Sequence, residues 1–410
     1  MFEKPKHTIS AAASDKIAAE FFQNCDYRSA LQQNFITESI IGRPTAETLK
    51  NSSSCYSFLL DIDNAIAKQK AFVDNFAHSP QDLSTLVNLY YQRGDYQQAY
   101  QINQQQIECD LKYIDDSGYL FHKGQYESAF AALEIGKKLG NLLYIGEGKY
   151  PNLPQCARWN GEDIDGKKIV VVSEGGLGDE IIFSRWLQYL DAEVYYYTES
   201  SLFDVFARNF GVKKYNPRDS YDYWFPSMSL PTVTGCYTPG KTVYLHPDQK
   251  YVDKWKNILG TTPFICVNWK GSDTFTQKHF RNIPVELFQQ TFGTEYKLIN
   301  VCKEAKECPD SIQDVTTELA CWEDTLAVLS LCDAVISCDS SVPHAASALG
   351  KTTQVFVRPD TYFPWSEGTG TPHHSTWYSD ATTVWRTAEI GKWDKLIPQA
   401  FEFYQTGKNQ

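Results

Sequence analysis

Seven short runs of β-branched and aromatic residues, at 169–173, 193–197, 223–225, 264–268, 297–301, 334–337 and 354–357, are separated by helix-length segments. That alternation predicts parallel sheets covered by helices. One stretch interrupts it. Residues 231–263, PTVTGCYTPGKTVYLHPDQKYVDKWKNILGTTP, are rich in Gly, Pro and Thr and read as the crossover between two α/β domains. The expected organisation is a helical region over 1–150, a first α/β domain over 151–245 and a second over 246–410.

The helical region carries an internal echo. LVNLYYQRGDYQQAYQI (86–102) is repeated as DSGYLFHKGQYESAFAAL (116–133), which aligns Gly94 with Gly124, Tyr96 with Tyr126 and Ala99 with Ala129. In each copy one helix ends at Gly, which permits a left-handed turn, and a second begins with an aromatic and a small residue that lets the helices approach. The pattern resembles a tetratricopeptide repeat, and it predicts two or three degenerate copies with a period of 30, from 94 to 124. Such an array either stabilises its neighbour or holds a peptide or protein partner. Residues 1–80 are polar and weakly periodic, apart from an amphipathic helix read over 57–76.

Composition narrows the function classes. With 42% hydrophobic and 21% charged residues the chain has the balance of a soluble globular protein. A net charge of −12 argues against gripping nucleic acid through the overall field. The eleven Cys are scattered without CxxC or zinc spacing, so they read as reduced structural thiols. The beginning MFEKPKHTIS lacks the apolar core of a signal peptide, and no apolar run approaches the ~18 residues of a membrane span. The expectation is a cytoplasmic protein.

Two stretches are placed to carry chemistry, because ligands of open parallel sheets bind beyond the carboxyl ends of the strands. SEGGLGDE (173–180) joins a strand to a helix through Gly176, Leu177, Gly178 and Asp179. An acid at that turn is unexpected for a phosphate cradle, and a helix N-terminus is expected to lower its pKa. SCDSSVPHAASALG (337–350) does the same in the second domain. There Asp339, Ser340 and Ser341 are helix-capping types, Pro343 suits a first turn, and His344 begins the helical spacing. The helix N-terminus and the two hydroxyls read either as an anion site or as a well-capped helix.

Together these motifs resemble the lipopolysaccharide heptosyltransferase superfamily, and most closely its tetratricopeptide-bearing members, which also resemble O-linked N-acetylglucosamine transferases. The similarity covers about 155–395 and the repeats upstream, with counterparts also at YDYWFPSMSLP (221–231) and NWKGSDTFTQKHFRNIP (268–284). The resemblance implies a GT-B fold, two Rossmann-like domains facing a cleft. It implies an inverting, metal-independent transfer of a sugar from a nucleotide-sugar, with no cofactor beyond that co-substrate.

By position, Asp179 becomes the general base, and Gly176, Leu177 and Gly178 the acceptor-side turn. Asp339, Ser340, Ser341 and His344 hold the donor, with Arg281 or Lys270 on its phosphates. Glu174 and Glu180 are the alternative bases. The segment 357–380, with Trp377–Tyr378 near its end, is expected at the cleft, stacking a base or sugar. His373 and His374 are not read as metal ligands. Three positions depart from the family: Gly175 stands for a glutamine, Pro343 for an alanine and Arg281 for a lysine. The acceptor reads as a protein held by the repeats. Alternative readings are an acceptor glycan or modified nucleic-acid base, and a non-catalytic scaffold that kept the fold.

Overall fold

The computed structural model describes residues 9–140, 153–272, 280–361, 363–367 and 371–408. The chain forms two compact units, one ending at Tyr119 and one beginning at Leu120. Among the described residues no helix is long and apolar enough to cross a membrane. All eleven Cys are free of disulfides.

The helical region consists of hairpins. Its helices are α1 (Ala11–Gln23), α2 (Tyr27–Ile41), α3 (Ala46–Phe58), α4 (Ile62–Asn75), α5 (Pro80–Gln92), α6 (Tyr96–Asn103), α7 (Asp110–His122) and α8 (Tyr126–Leu139). One turn recurs between the members of each pair. Cys25, Leu60, Gly94 and Gly124 take φ of 59°, 64°, 80° and 69°. The next N–H bonds back to the preceding helix in every case, Asp26 to Phe21, Asp61 to Tyr56, Asp95 to Tyr90 and Gln125 to Leu120, all at 2.9 Å. Asp26, Asp61 and Asp95 then cap the second helix by accepting from Ser29, Asn64 and Gln98.

The repeat is therefore fourfold within the described residues, where two or three copies were expected. Positions 25 to 60, 60 to 94 and 94 to 124 give spacings of 35, 34 and 30 residues. The first two copies escape a sequence search because Cys and Leu occupy the left-handed position. The helix expected over 57–76 is broken for the same reason, since α3 ends at Phe58 and α4 begins at Ile62. The small-residue seam is present, with Ala99 and Ala129 both fully buried.

The second unit begins inside the repeats. Its first turn is that of the last hairpin, and α8 packs with the α/β elements: Phe130 lies edge-on to Phe183 and Trp186 at 6.4 and 6.1 Å. The division between the units thus falls before α8. Residues 141–152 lie outside the described residues.

Two sheets follow, with all seven expected strands in place. The first contains β1 (Ala157–Arg158), β2 (Lys168–Val172), β3 (Glu193–Tyr197), β4 (Lys213–Lys214) and β5 (Tyr223–Pro226), in the order β1-β5-β2-β3-β4. The second contains β6 (Phe264–Asn268), β7 (Lys297–Asn300), β8 (Gln313–Asp314), β9 (Ala334–Cys338), β10 (Thr353–Val357), β11 (His373–His374) and β12 (Thr382–Arg386). Its order is β11-β12-β10-β9-β6-β7-β8. All pairings are parallel except β11 with β12.

Helices α9 (Leu177–Ser184), α10 (Phe203–Phe210) and α11 (Leu230–Thr234) accompany the first sheet. The second is accompanied by α12 (Gln249–Leu259), α13 (Val285–Thr291), α14 (Trp322–Leu331), α15 (Ser341–Ala348), α16 (Phe363–Ser366) and α17 (Leu396–Lys408). These two Rossmann-like halves after a helical region are the expected GT-B architecture.

Burial explains the strand composition. Every residue of β6, β9 and β10 is buried, as apolar runs in a sheet covered on both faces require. Strand order also locates the crevices. In the first sheet the chain leaves β2 for β3 on one side and returns to β5 on the other. In the second it leaves β6 for β7 and returns to β9. Each reversal opens a crevice at the strands' carboxyl ends.

The turn geometry yields a prediction. A non-glycine residue in the left-handed region costs about 1–2 kcal/mol. Leu60→Gly is expected to stay within about 1 kcal/mol of the parent, because relief of the left-handed strain is offset by lost packing of a side chain only 38% exposed. Gly94→Ala is expected to destabilise the helical region by about 1 kcal/mol. Urea unfolding followed by far-ultraviolet circular dichroism measures both.

Candidate active site

The two switch points face each other. The turn after β2 starts α9 and carries Gly175 to Asp179, and the turn after β9 starts α15 and carries Asp339 to His344. They approach so closely that a Cβ on Gly178 would lie 3.1 Å from Cδ2 of His344 and 3.7 Å from Cα of Ser341. Gly178 is thus needed for contact between the halves. Leu177, beside it, is 38% exposed.

Asp179 is half-buried and turned back on its own loop. Its Oδ2 accepts from Gly176 N–H at 2.8 Å. Gly175 sits at φ +69°, and a Cβ there would fall 2.7 Å from Cγ of Asp179. Only glycine suits that position on both counts.

The carboxyl is pushed up to about 6, first by desolvation, against the pull of the Gly176 N–H, with Asp339, Glu174 and Glu180 adding repulsion. The expected lowering by the helix N-terminus is reversed. Loss of water and the repulsion of three nearby carboxylates outweigh one backbone hydrogen bond.

The alternative bases are engaged elsewhere. Glu174 is fully buried and its Oε2 accepts from Lys137 Nζ at 2.7 Å. Glu180 is buried too, and its Oε2 accepts from Thr198 and Ser200, both at 2.9 Å.

On the opposite wall, Asp339 Oδ1 accepts from the indole N–H of Trp365 at 3.0 Å. Burial raises its pKa, and the nearby Arg281 guanidinium opposes that rise. Ser340 caps α15 by accepting from Val342 N–H at 3.3 Å. Asn268, at the end of β6, donates to Ser340 Oγ at 3.0 Å and to Ser337 Oγ at 3.1 Å, tying together the two strands that flank the crevice. Ser341 opens the helix.

Arg281 Nη2 donates to Ser272 O at 3.3 Å, and its guanidinium lies where a Gly271 side chain would be. Lys270 follows β6, with its carbonyl accepting from Cys302 Sγ at 3.6 Å. Of the two basic candidates, Arg281 is the one whose charge bears on Asp339. Residues 273–279 of this segment lie outside the described residues.

His344 is fully buried. Its Nδ1 meets Tyr378 Oη at 2.9 Å, and its ring stacks on Trp365 with centroids 4.5 Å apart and planes 15° apart. Burial and the Arg185 charge hold its pKa well below 6.5, so the imidazole is neutral.

The aromatic segment departs from its expected role. Trp377 and Tyr378 are core residues, not stacking surfaces exposed to a ligand. Trp377 packs with Phe363 and Trp186, while Tyr378 holds His344. Arg185 binds both, donating to Trp377 O at 2.6 Å, with its guanidinium 4.7 Å from the Tyr378 ring. His373 and His374 form the edge strand β11. Among the described residues no three His, Cys, Asp or Glu side chains converge on a metal-binding position.

Sequence reasoning missed Trp365, Asn268, Arg185 and Lys137. Trp365 lay within a segment flagged only as aromatic-rich, and Asn268 at the head of a quoted stretch. Arg185 and Lys137 carried no motif.

No protein-family model matches the chain. Among curated proteins it is similar to Protein FlbA of Caulobacter vibrioides, at 24% identity over 264 residues, 51% of this chain and 43% of that protein. The chain thus spans less than half of that relative's length. Among solved structures it is similar to the ADP-heptose lipopolysaccharide heptosyltransferase II of E. coli. That match has 13% identity and a TM-score of 0.39, and it covers 58% of this chain and 99% of that one. It is also similar to a point mutant of an O-GlcNAc transferase from Thermobaculum terrenum. Here identity is 11% and the TM-score 0.31, over 85% of this chain and 84% of that one. Both structures are of the kinds named above on the two cleft motifs.

The raised carboxyl of Asp179 sets a pH dependence of stability. Its folded pKa lies above the unfolded value of 3.8, so the native state binds the proton more tightly. That contribution is complete below about pH 4 and is lost as pH rises through about 6. Asp179→Asn keeps the bond from Gly176 and removes the charge. It is expected to melt higher than the parent at pH 8, the gap closing below pH 4, as thermal unfolding across that range would show.

Proposed function

We propose that the protein is an inverting glycosyltransferase that moves a sugar from a nucleotide-sugar to an acceptor held on the Asp179 side of the cleft. The observation that carries this reading is the pairing of Asp179, with its carboxyl raised to about 6, against an opposing helix N-terminus flanked by Arg281. One wall supplies a base, the other a site for a leaving anion.

In the proposed reaction the acceptor's O–H proton passes to Asp179 as that oxygen attacks the anomeric carbon. The bond from that carbon to the diphosphate oxygen breaks, and the configuration inverts in a single displacement. A carboxylate with a pKa near 6 is a stronger base than an ordinary aspartate yet is ionised at neutral pH. The diphosphate departs toward α15, where the N–H groups after Ser340, the hydroxyl of Ser341, and Arg281 with Lys270 supply positive charge. Those groups do the work often given to a metal, so the transfer is proposed to be metal-independent. His344 contributes through position, since its neutral ring seats the two turns against each other. The helical hairpins are proposed as the surface that receives a protein or peptide acceptor.

The experiment is a thermal-shift screen with nucleotide-sugars, with and without EDTA, followed by a transfer assay with the donor it selects. A donor at about 100 times its Kd adds roughly 2.7 kcal/mol of stability. A selective shift that survives EDTA and is lost in Arg281→Ala is expected. Asp179→Asn should retain the shift and lose about 10²–10⁴ in kcat. The parent rate should climb with pH to a plateau above about 6, because the base acts deprotonated. No shift with any member of the panel would turn the reading to a non-catalytic scaffold.

A further inference from the structure

The turn that carries Asp179 is held from behind by a buried charge on α8. Lys137 and Glu174 are both fully buried, with Nζ and Oε2 2.7 Å apart. Two charges taken from water into an interior are tolerated only with good geometry and further hydrogen bonds. Both are present. Glu174 Oε2 also accepts from Met228 N–H at 3.2 Å, and the Glu174 N–H donates to Ser227 Oγ at 3.0 Å. Glu134, one turn earlier on α8, lies 3.8 Å from Lys137 Nζ and is bonded by the hydroxyl of Ser229.

Glu174 is the last residue before the Gly175–Gly176 turn, whose backbone grips the Asp179 carboxylate. The path from Lys137 to Asp179 therefore passes through one side chain and one tight turn.

We propose that Lys137 is a positioning residue for Asp179, acting through Glu174 and the glycine turn that Glu174 anchors. This rests on the reading of Asp179 as the acceptor-side base. Lys137 has two effects. It fixes Glu174, and so the height of the turn above the cleft. It also offsets the negative charge of Glu174 behind Asp179.

The charged groups around the base divide accordingly. The charges of Glu174 and Glu180 act on Asp179 from its own half and that of Asp339 from the other. Lys137 and Glu134 stand behind Glu174, and Arg281 stands beside Asp339.

The test follows the Asp179 carboxyl directly in the full chain labelled with 13C-aspartate. Its signal is assigned by its loss in Asp179→Asn. Lys137→Met is expected to leave the titration midpoint little changed, because a fully buried carboxylate without its partner takes up a proton. Glu174→Gln is expected to lower it. The double variant Lys137→Met/Glu174→Gln, again without net charge behind the turn, should return it to the parent value. In the transfer assay Lys137→Met should lose about tenfold or more in kcat with the donor KM unchanged.

A folded Lys137→Met with the parent's kcat overturns the inference, as does a double variant that keeps the shift of Glu174→Gln. If circular dichroism shows Lys137→Met unfolded, Glu174→Gln decides, and an unmoved midpoint overturns the proposal. Midpoints that move as expected in a protein that transfers no sugar sink the enzymatic reading and leave the coupling standing.

Discussion

The guanidinium of Arg185 is the interaction on which the cleft depends. It is 2% exposed and follows directly on α9. It donates to Ile182 O at 3.1 Å within its own half, to Pro239 O at 3.0 Å in the crossover, and to Trp377 O at 2.6 Å in the second half. Tyr244 Oη accepts from it at 3.1 Å. The rings of Tyr244, Tyr378, Trp186 and Trp377 surround it at 4.6 to 5.7 Å. A buried cation needs such a shell of dipoles and ring faces. The shell is complete only when both halves and the crossover are assembled, so the cost of burying one charge enforces a single relative placement of the two sheets. From there the contact runs through Tyr378 to His344 and across to Gly178.

That closeness determines the electrostatics of the site. A carboxylate at the start of a helix is ordinarily favoured by the N–H groups it meets, an effect of about 0.3–1 kcal/mol when exposed. Asp179 receives such a bond and still titrates high. The opposing wall excludes water and brings the charge of Asp339 near it, and these losses exceed what one N–H returns. His344 is depressed by the same enclosure. The packing that keeps a histidine neutral is the packing that makes an aspartate basic.

Much of this was legible from the chain. The seven principal strands follow from β-branched runs, and the two cleft turns from glycine and capping residues beside them. The losses have particular causes. β12 was missed because Thr382–Arg386 follows a segment read as a cleft loop. The hairpin turns at Cys25 and Leu60 were hidden because the backbone there is left-handed without glycine. The burial of Trp377 and Tyr378 was not legible because aromatic residues in a Gly- and Pro-rich segment carry no sign of it, and only the fold reveals Arg185 beneath them. Lys137 and Glu174 lie 37 residues apart. No local pattern distinguishes a lysine of an amphipathic helix from one destined to be buried.

The recurrent turn gives the helical hairpins unequal standing. Those that close at Cys25, Leu60 and Gly94 share their hydrogen bonding, their capping aspartate and a spacing close to 34 residues. A whole hairpin could be gained or lost there in register, and the array can lengthen or shorten in descent. The last hairpin is exempt. Its turn has Gln125 in place of the aspartate, its spacing has contracted, and α8 belongs to the α/β architecture through Phe130 and Lys137. That helix goes with the cleft behind which it stands, so a joint between the repeats and the α/β halves belongs before α8, inside the repeat pattern and not at its end.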